Sequence, residues 1–190
     1  MSRPAPFRRP GPQHGVASVE FALLAVVLFG FIFGVMEVSR LAFLWSTMTE
    51  VTSRAARAAA MADFNDGAAK DLLRQRAMFL AGPGDKLILS GDIGYSHLKI
   101  DYLGGNASTI VTPLPSSAQE NTAICLNNPS SASCVRYVMV RLCLPGGGSC
   151  DRVPYSRLTT LLGPDVFKID MPYFTAIAPI ETLGCDTTSP

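Results

Sequence analysis

The chain opens on polar and basic residues and then turns apolar. Residues 21–36, FALLAVVLFGFIFGVM, contain no charge, amide or hydroxyl. As a helix this stretch covers about 24 Å at ~1.5 Å per residue, short of the ~30 Å hydrocarbon core of a bilayer. Reaching back to Val16 lengthens it to about 31 Å, enough to span. That extension takes Ser18 and Glu20 into or near the bilayer. The membrane-length segment therefore carries an acid near its start.

From Glu37 the pattern becomes that of an amphipathic helix running to about Asp63. Glu50 and Arg54 stand at i, i+4 in the favourable order, and Ala55, Ala58, Ala59, Ala60 and Ala62 add helix propensity with little bulk. A face this small permits close approach of a second helix, or ordinary packing on the chain's own domain. FNDG at 64–67 reads as a break, after which AAKDLLRQRAMFLAG resumes helix until Gly82 and Pro83 end it. The segments on either side of the break read as two helices or as one kinked helix.

Beyond Pro83, KLILS, GYSHLKIDYLG and STIVTPL read as strands and loops. RYVMVRLCL is the clearest strand, with Val138, Val140, Leu142 and Leu144 on one face and Tyr137, Met139, Arg141 and Cys143 on the other. FKIDMPYFTAIAPIE is expected to supply a last strand or pair, placed at an edge by Pro172 and Pro179. The fold class is α+β: a long N-terminal transmembrane and stalk helix, a second helix, and a small antiparallel β-sheet C-terminal domain. The expected divisions are a basic leader at 1–15, a span at 16–36, the stalk and second helix at 37–82, and a β-rich domain at 83–190.

Composition narrows the function. With 190 residues, 48% of them hydrophobic, the chain holds one ordinary domain plus an appendage. A net charge of +1 without any block of five like charges argues against nucleic acid as a partner. Arg3, Arg8 and Arg9 precede Val16 without an acid, whereas Glu37 and Arg40 follow the span. The positive-inside rule then places the N-terminus in the cytoplasm and the rest on the far side.

All five cysteines, Cys125, Cys134, Cys143, Cys150 and Cys185, fall in that far-side portion, as an oxidising compartment would favour. CLNNPSSASC and CLPGGGSC are short and rich in turn formers, which favours local Cys125–Cys134 and Cys143–Cys150 bridges and leaves Cys185 odd. Other pairings and reduced thiols stay open. A bridge closing about ten residues contributes roughly 2 to 3 kcal/mol.

No catalytic, metal or cofactor set can be assembled. The only histidines are His14 and His97, the latter read as a strand residue with a solvated ring, and the cysteine spacings lack C-x₂-C knuckles. Asp85, Asp92 and Asp101 read as solubilising residues. GGGS at 146–149 lacks the lysine and following helix of a phosphate loop and reads as a hairpin tip. Without a nucleophile, base and oxyanion donor at any recognisable spacing, a small-molecule substrate is not expected.

The N-terminus admits three readings. A secretory signal peptide needs a small-residue cleavage site soon after the apolar run, where GVMEVSRLAFLW stands instead. An uncleaved signal anchor explains the arginines and the span but not the acid. The third reading rests on a resemblance. HGVASVEFALLAVVLFGFIFGVMEVSR, residues 14–40, resembles the class III signal of type IV pilins. It is closer still to the start of the TadE/TadF-like minor pseudopilins of the tight-adherence (Tad, or Flp) pilus system.

The resemblance implies Gly15 as the last leader residue, Val16 as the first mature one, Glu20 at mature position five, and Glu37 with Arg40 as the pair that follows the span. SRLAFLWSTMTEVTSRAARAAAMA and YFTAIAPIETLGC are similar to the family's stalk and terminal strand. Val16 stands where pilins often have Phe or Met, and five cysteines exceed what the family leads one to expect. The resemblance further implies a bacterial inner-membrane location, processing by a prepilin peptidase, other pilins and pseudopilins as partners, and a role in pilus biogenesis and adhesion.

Physical chemistry supports the arrangement. A carboxylate in a membrane segment costs about 2.5 to 3.5 kcal/mol on insertion scales and should face a partner. Cleavage after Gly15 creates an α-ammonium on Val16, four residues before Glu20 and on the same helical face. By resemblance, Glu20 pairs with the new N-terminus of a neighbouring subunit. The competing function is an uncleaved single-pass anchor carrying a periplasmic binding or envelope-scaffold domain.

Overall fold

A computed structural model describes residues 14–146, 149–157 and 170–180. The leader before His14, Gly147 and Gly148 of the expected hairpin tip, both ends of the expected last strand, and Cys185 lie outside the described residues.

The first helix, α1, runs from His14 to Met61, and the chain divides after Ser39 into two compact units. In the first unit nearly every described side chain is exposed, and the helix is long and apolar enough to cross a membrane. In the second unit the burial of α1 becomes periodic. Arg40, Leu44, Met48, Val51, Thr52, Ala55, Ala56 and Ala59 are buried, spaced so that they form one stripe of a 3.6-residue helix. The alanine face thus packs within its own unit, its side chains joining the buried core.

Beyond Met61 the helix gives way to a turn in which the Asp63 carboxylate accepts the Asn65 N–H at 2.8 Å. Asp66 then caps α2, Gly67–Ala77, by accepting the Ala69 N–H at 3.0 Å. The break separates two helices rather than kinking one. α2 also ends before the expected Gly82. Phe79 takes a left-handed φ of 58°, its N–H bonds to the Arg76 carbonyl, and the Leu80 N–H closes back on Gln75 at 2.9 Å. This is the closure usually built on glycine.

Three strands form an antiparallel sheet in the order β1 (Leu98–Leu103), β2 (Tyr137–Leu142), β3 (Thr175–Pro179). Register stacks Leu98 on Leu142, Ile100 on Val140 and Ala176, and Tyr102 on Val138 and Ala178. This face joins the α1 stripe in a single core, as the alternation of RYVMVRLCL predicts. Leu144, expected on the same face, falls beyond the strand end and is exposed. Within the core the Tyr102 ring meets Phe64 edge-on at 5.8 Å, and burial pushes its hydroxyl up to about 12. On the opposite face Arg141 pairs with Asp101 at 2.6 Å, so Asp101 is a sheet partner and not merely a solubilising acid.

Two expected strands are absent from the described residues. KLILS is a loop closed by the Leu87 N–H to the Ile93 carbonyl, with Leu89 at φ 63° and Gly91 at φ 80°. A ladder strand cannot pass through left-handed residues. STIVTPL supplies only an isolated bridge from Ile110 to Leu103. Between β1 and β2 lies a helix the sequence reading missed, α3, Ala118–Asn127. Ser117 accepts the Glu120 N–H at 3.1 Å, and Glu120 in turn accepts the Ser116 N–H at 2.7 Å. The Ser116 hydroxyl and backbone hold the Glu120 carboxyl below its ordinary range.

Candidate functional site

The predicted site residues fall into three groups, and the fold treats each differently. Gly15, Val16 and Glu20 lie in the first turns of α1, all exposed, with open space around the Gly15 Cα. Val16 and Glu20 are one turn apart on a common face. The surrounding surface is apolar all round, Val19, Phe21, Leu23 and Leu24 being exposed, so Glu20 stands out as a carboxylate on a lipid-compatible helix.

Glu37 is half-buried near the end of the first unit, and Arg40 opens the second. Arg40 is only 7% exposed. Its Nε donates to the Leu89 carbonyl and its Nη1 to the Ser156 carbonyl, both at 2.7 Å, while the guanidinium rests 5.2 Å from the Tyr155 ring centre. One cation thereby ties the start of the buried helical stripe to two loops distant in sequence. The left-handed turn at Leu89 to Gly91 is part of the arrangement. A Cβ on Gly91 would fall 2.1 Å from the Ser156 hydroxyl oxygen, so a side chain there has to displace that hydroxyl in addition to adopting a strained φ of 80°.

The cysteines form the third group. Cys125 bridges Cys134 with Cα atoms 5.0 Å apart, and Cys143 bridges Cys150 at 4.8 Å. Cys125 sits in the last turn of α3 rather than in a loop, because the helix capped by Ser117 extends to Asn127, into the start of the segment read as turn formers. Beside the first bridge, buried Asn121 accepts the Val135 N–H at 2.8 Å and donates to the Val135 carbonyl at 3.1 Å. Its amide satisfies both backbone groups as a neighbouring strand would. Sequence reasoning overlooked this contact; the Ser117-x-x-Glu120 spacing that opens α3 was the available signal.

His97 also departs from expectation. It closes a 3₁₀ turn, Tyr95–His97, rather than lying in a strand, and its ring is buried with Nδ1 accepting the Gly94 N–H at 3.2 Å. Burial lowers its pKa below 6.5. Among the described residues no group of three or more His, Cys, Asp or Glu could hold a metal.

Helix α1 thus carries one early acid on an exposed apolar segment and, from Arg40 onward, a buried stripe. Residues 15–57 match the TadE-like protein family. The match begins at Gly15 and ends at Arg57, so the TadE-like segment takes in Glu20, the exposed span and most of the buried stripe, and leaves α2 and the sheet outside it. No curated protein and no solved structure matches the chain.

Proposed function

We propose that this chain is a minor pseudopilin of a Tad/Flp pilus machine, held in the bacterial inner membrane with its N-terminus cytoplasmic and its C-terminal domain on the periplasmic or extracellular side. The observation that carries this reading is the TadE-like segment at 15–57, which begins at the predicted cleavage residue and sets Glu20 on an exposed apolar helix. A prepilin peptidase cuts after Gly15. The new ammonium on Val16 and the Glu20 carboxylate then pair between neighbouring subunits, which offsets the cost of holding each charge in lipid. Processing and assembly are coupled through that pair, because the cation does not exist before the cut.

In this reading the role is structural, with no reaction catalysed. Other pilins and pseudopilins are its partners, and pilus biogenesis and adhesion its output. The disulfide-bridged unit beyond Arg40 suits an oxidising exterior. Glu20→Ala tests the mechanism: pilus-dependent adhesion is lost while the protein still fractionates with membranes. Normal piliation in that variant would remove Glu20 from assembly.

A further inference from the structure

Between the last turns of α1 and the outer side of α2 runs a groove of about 540 Å³. Its floor is apolar, built on Ala58, Ala69 and Leu73, and two large side chains project from it, Leu72 at 47% and Met61 at 62% exposure. Arg54, Arg57 and Arg76 stand around it, and no acid lines it. Arg54 is fixed, bonded to Glu50 at 2.8 Å and resting 4.5 Å from the ring centre of the exposed, left-handed Phe79. Arg57 and Arg76 have no ion pair or side-chain hydrogen bond among the described residues. The groove therefore pairs uncovered apolar surface with unneutralised positive charge.

We propose that this groove docks an acidic amphipathic helix of a different protein. Its apolar stripe covers Leu72 and Met61, and its flanking carboxylates take the guanidinium forks of Arg57 and Arg76. α2 has 11 residues, so the matching contact is about 16 Å long, three turns of a partner helix. A flat lipid surface would meet the arginines but leave the floor of a concave groove uncovered. A second copy is disfavoured by the chain's own acids: on the described helices of the second unit, Glu50 is held by Arg54, Asp71 by Arg74 and Glu120 by Ser116.

The test uses the full-length chain in neutral detergent micelles and a fluorescein-labelled helical peptide with leucines at i, i+3, i+4 and i+7 flanked by glutamates. Two control peptides carry lysine in place of glutamate, or the same composition with the stripe scrambled. Fluorescence anisotropy should show binding of the acidic peptide alone. Arg57→Glu with Arg76→Glu should weaken it at least tenfold and create binding of the lysine peptide, which also shows that the variant is folded. Leu72→Glu should weaken the acidic peptide similarly without that gain.

The proposal fails if the acidic peptide does not bind, if the scrambled peptide binds equally, or if the arginine reversal has no effect. It also fails if only phosphatidylglycerol vesicles bind in an arginine-dependent way, which would make the groove a lipid site.

Discussion

Residues 16–39 and 40–60 belong to one continuous helix and both carry large apolar side chains, yet their burial follows different rules. Along the first stretch Phe21, Leu23, Leu24, Val26 and Phe29, which together point in every direction around the helix, are all exposed. Along the second, Leu44, Met48, Val51 and Ala55 are buried while Phe43, Trp45 and Met61 on other faces are not. A helix apolar all round asks for a lipid solvent, and a striped one asks for a protein core. Periodicity, more than hydrophobic content, separates the two. The charges divide the same way: Glu20 lies exposed on the first stretch, whereas Arg40 is buried and bonded at the start of the second.

Truncating one leucine in each stretch should affect stability very differently. Leu44→Ala should destabilise the second unit by about 3 kcal/mol, since a fully buried leucine loses both transfer energy and packing. Leu24→Ala should leave that stability within about 0.5 kcal/mol of the parent, as for surface substitutions generally. Trp45, the single tryptophan, lies edge-on to Phe174 at 6.0 Å and gives a native fluorescence probe for urea unfolding of the full chain in micelles. Equal losses in the two variants would contradict the two-solvent account.

Arg40→Ala comes next, at about 2 kcal/mol, because it strips a charged donor from the Leu89 and Ser156 carbonyls. The smallest effect sharpens the picture of the second unit by pH. Burial lowers the His97 pKa below 6.5, so protonation favours the unfolded chain. Stability should be complete above about 6.5, begin to fall as pH drops through that value, and finish falling below the folded-state pKa. His97→Gln, which keeps an acceptor for the Gly94 N–H, should flatten this dependence in the same urea titration.

What the sequence revealed depended on how local each signal was. The apolar run of α1 and the alternation of β2 are written within a few turns or pleats, and prolines placed β3 at the edge. Leu89 illustrates the opposite case. KLILS has strand composition, but the chain turns left-handed there, and its carbonyl serves Arg40 from 49 residues away. Arg40 itself was legible as a motif position, whereas its partners, reaching to Ser156 at a separation of 116, were not. α3 carried a readable cap at Ser117 that cysteines and turn formers obscured. The arginine-rimmed groove exists only once α2 docks by Leu73 and Ala77 and turns Leu72 outward.

The central claim concerns the first stretch: Glu20 has a function because cleavage creates its partner. N-terminal sequencing of the membrane-extracted protein, from cells with an active prepilin peptidase, tests it most directly. The account predicts a mature chain that starts at Val16. A chain starting at Met1 or Ser2 would contradict it and leave an uncleaved anchor in its place.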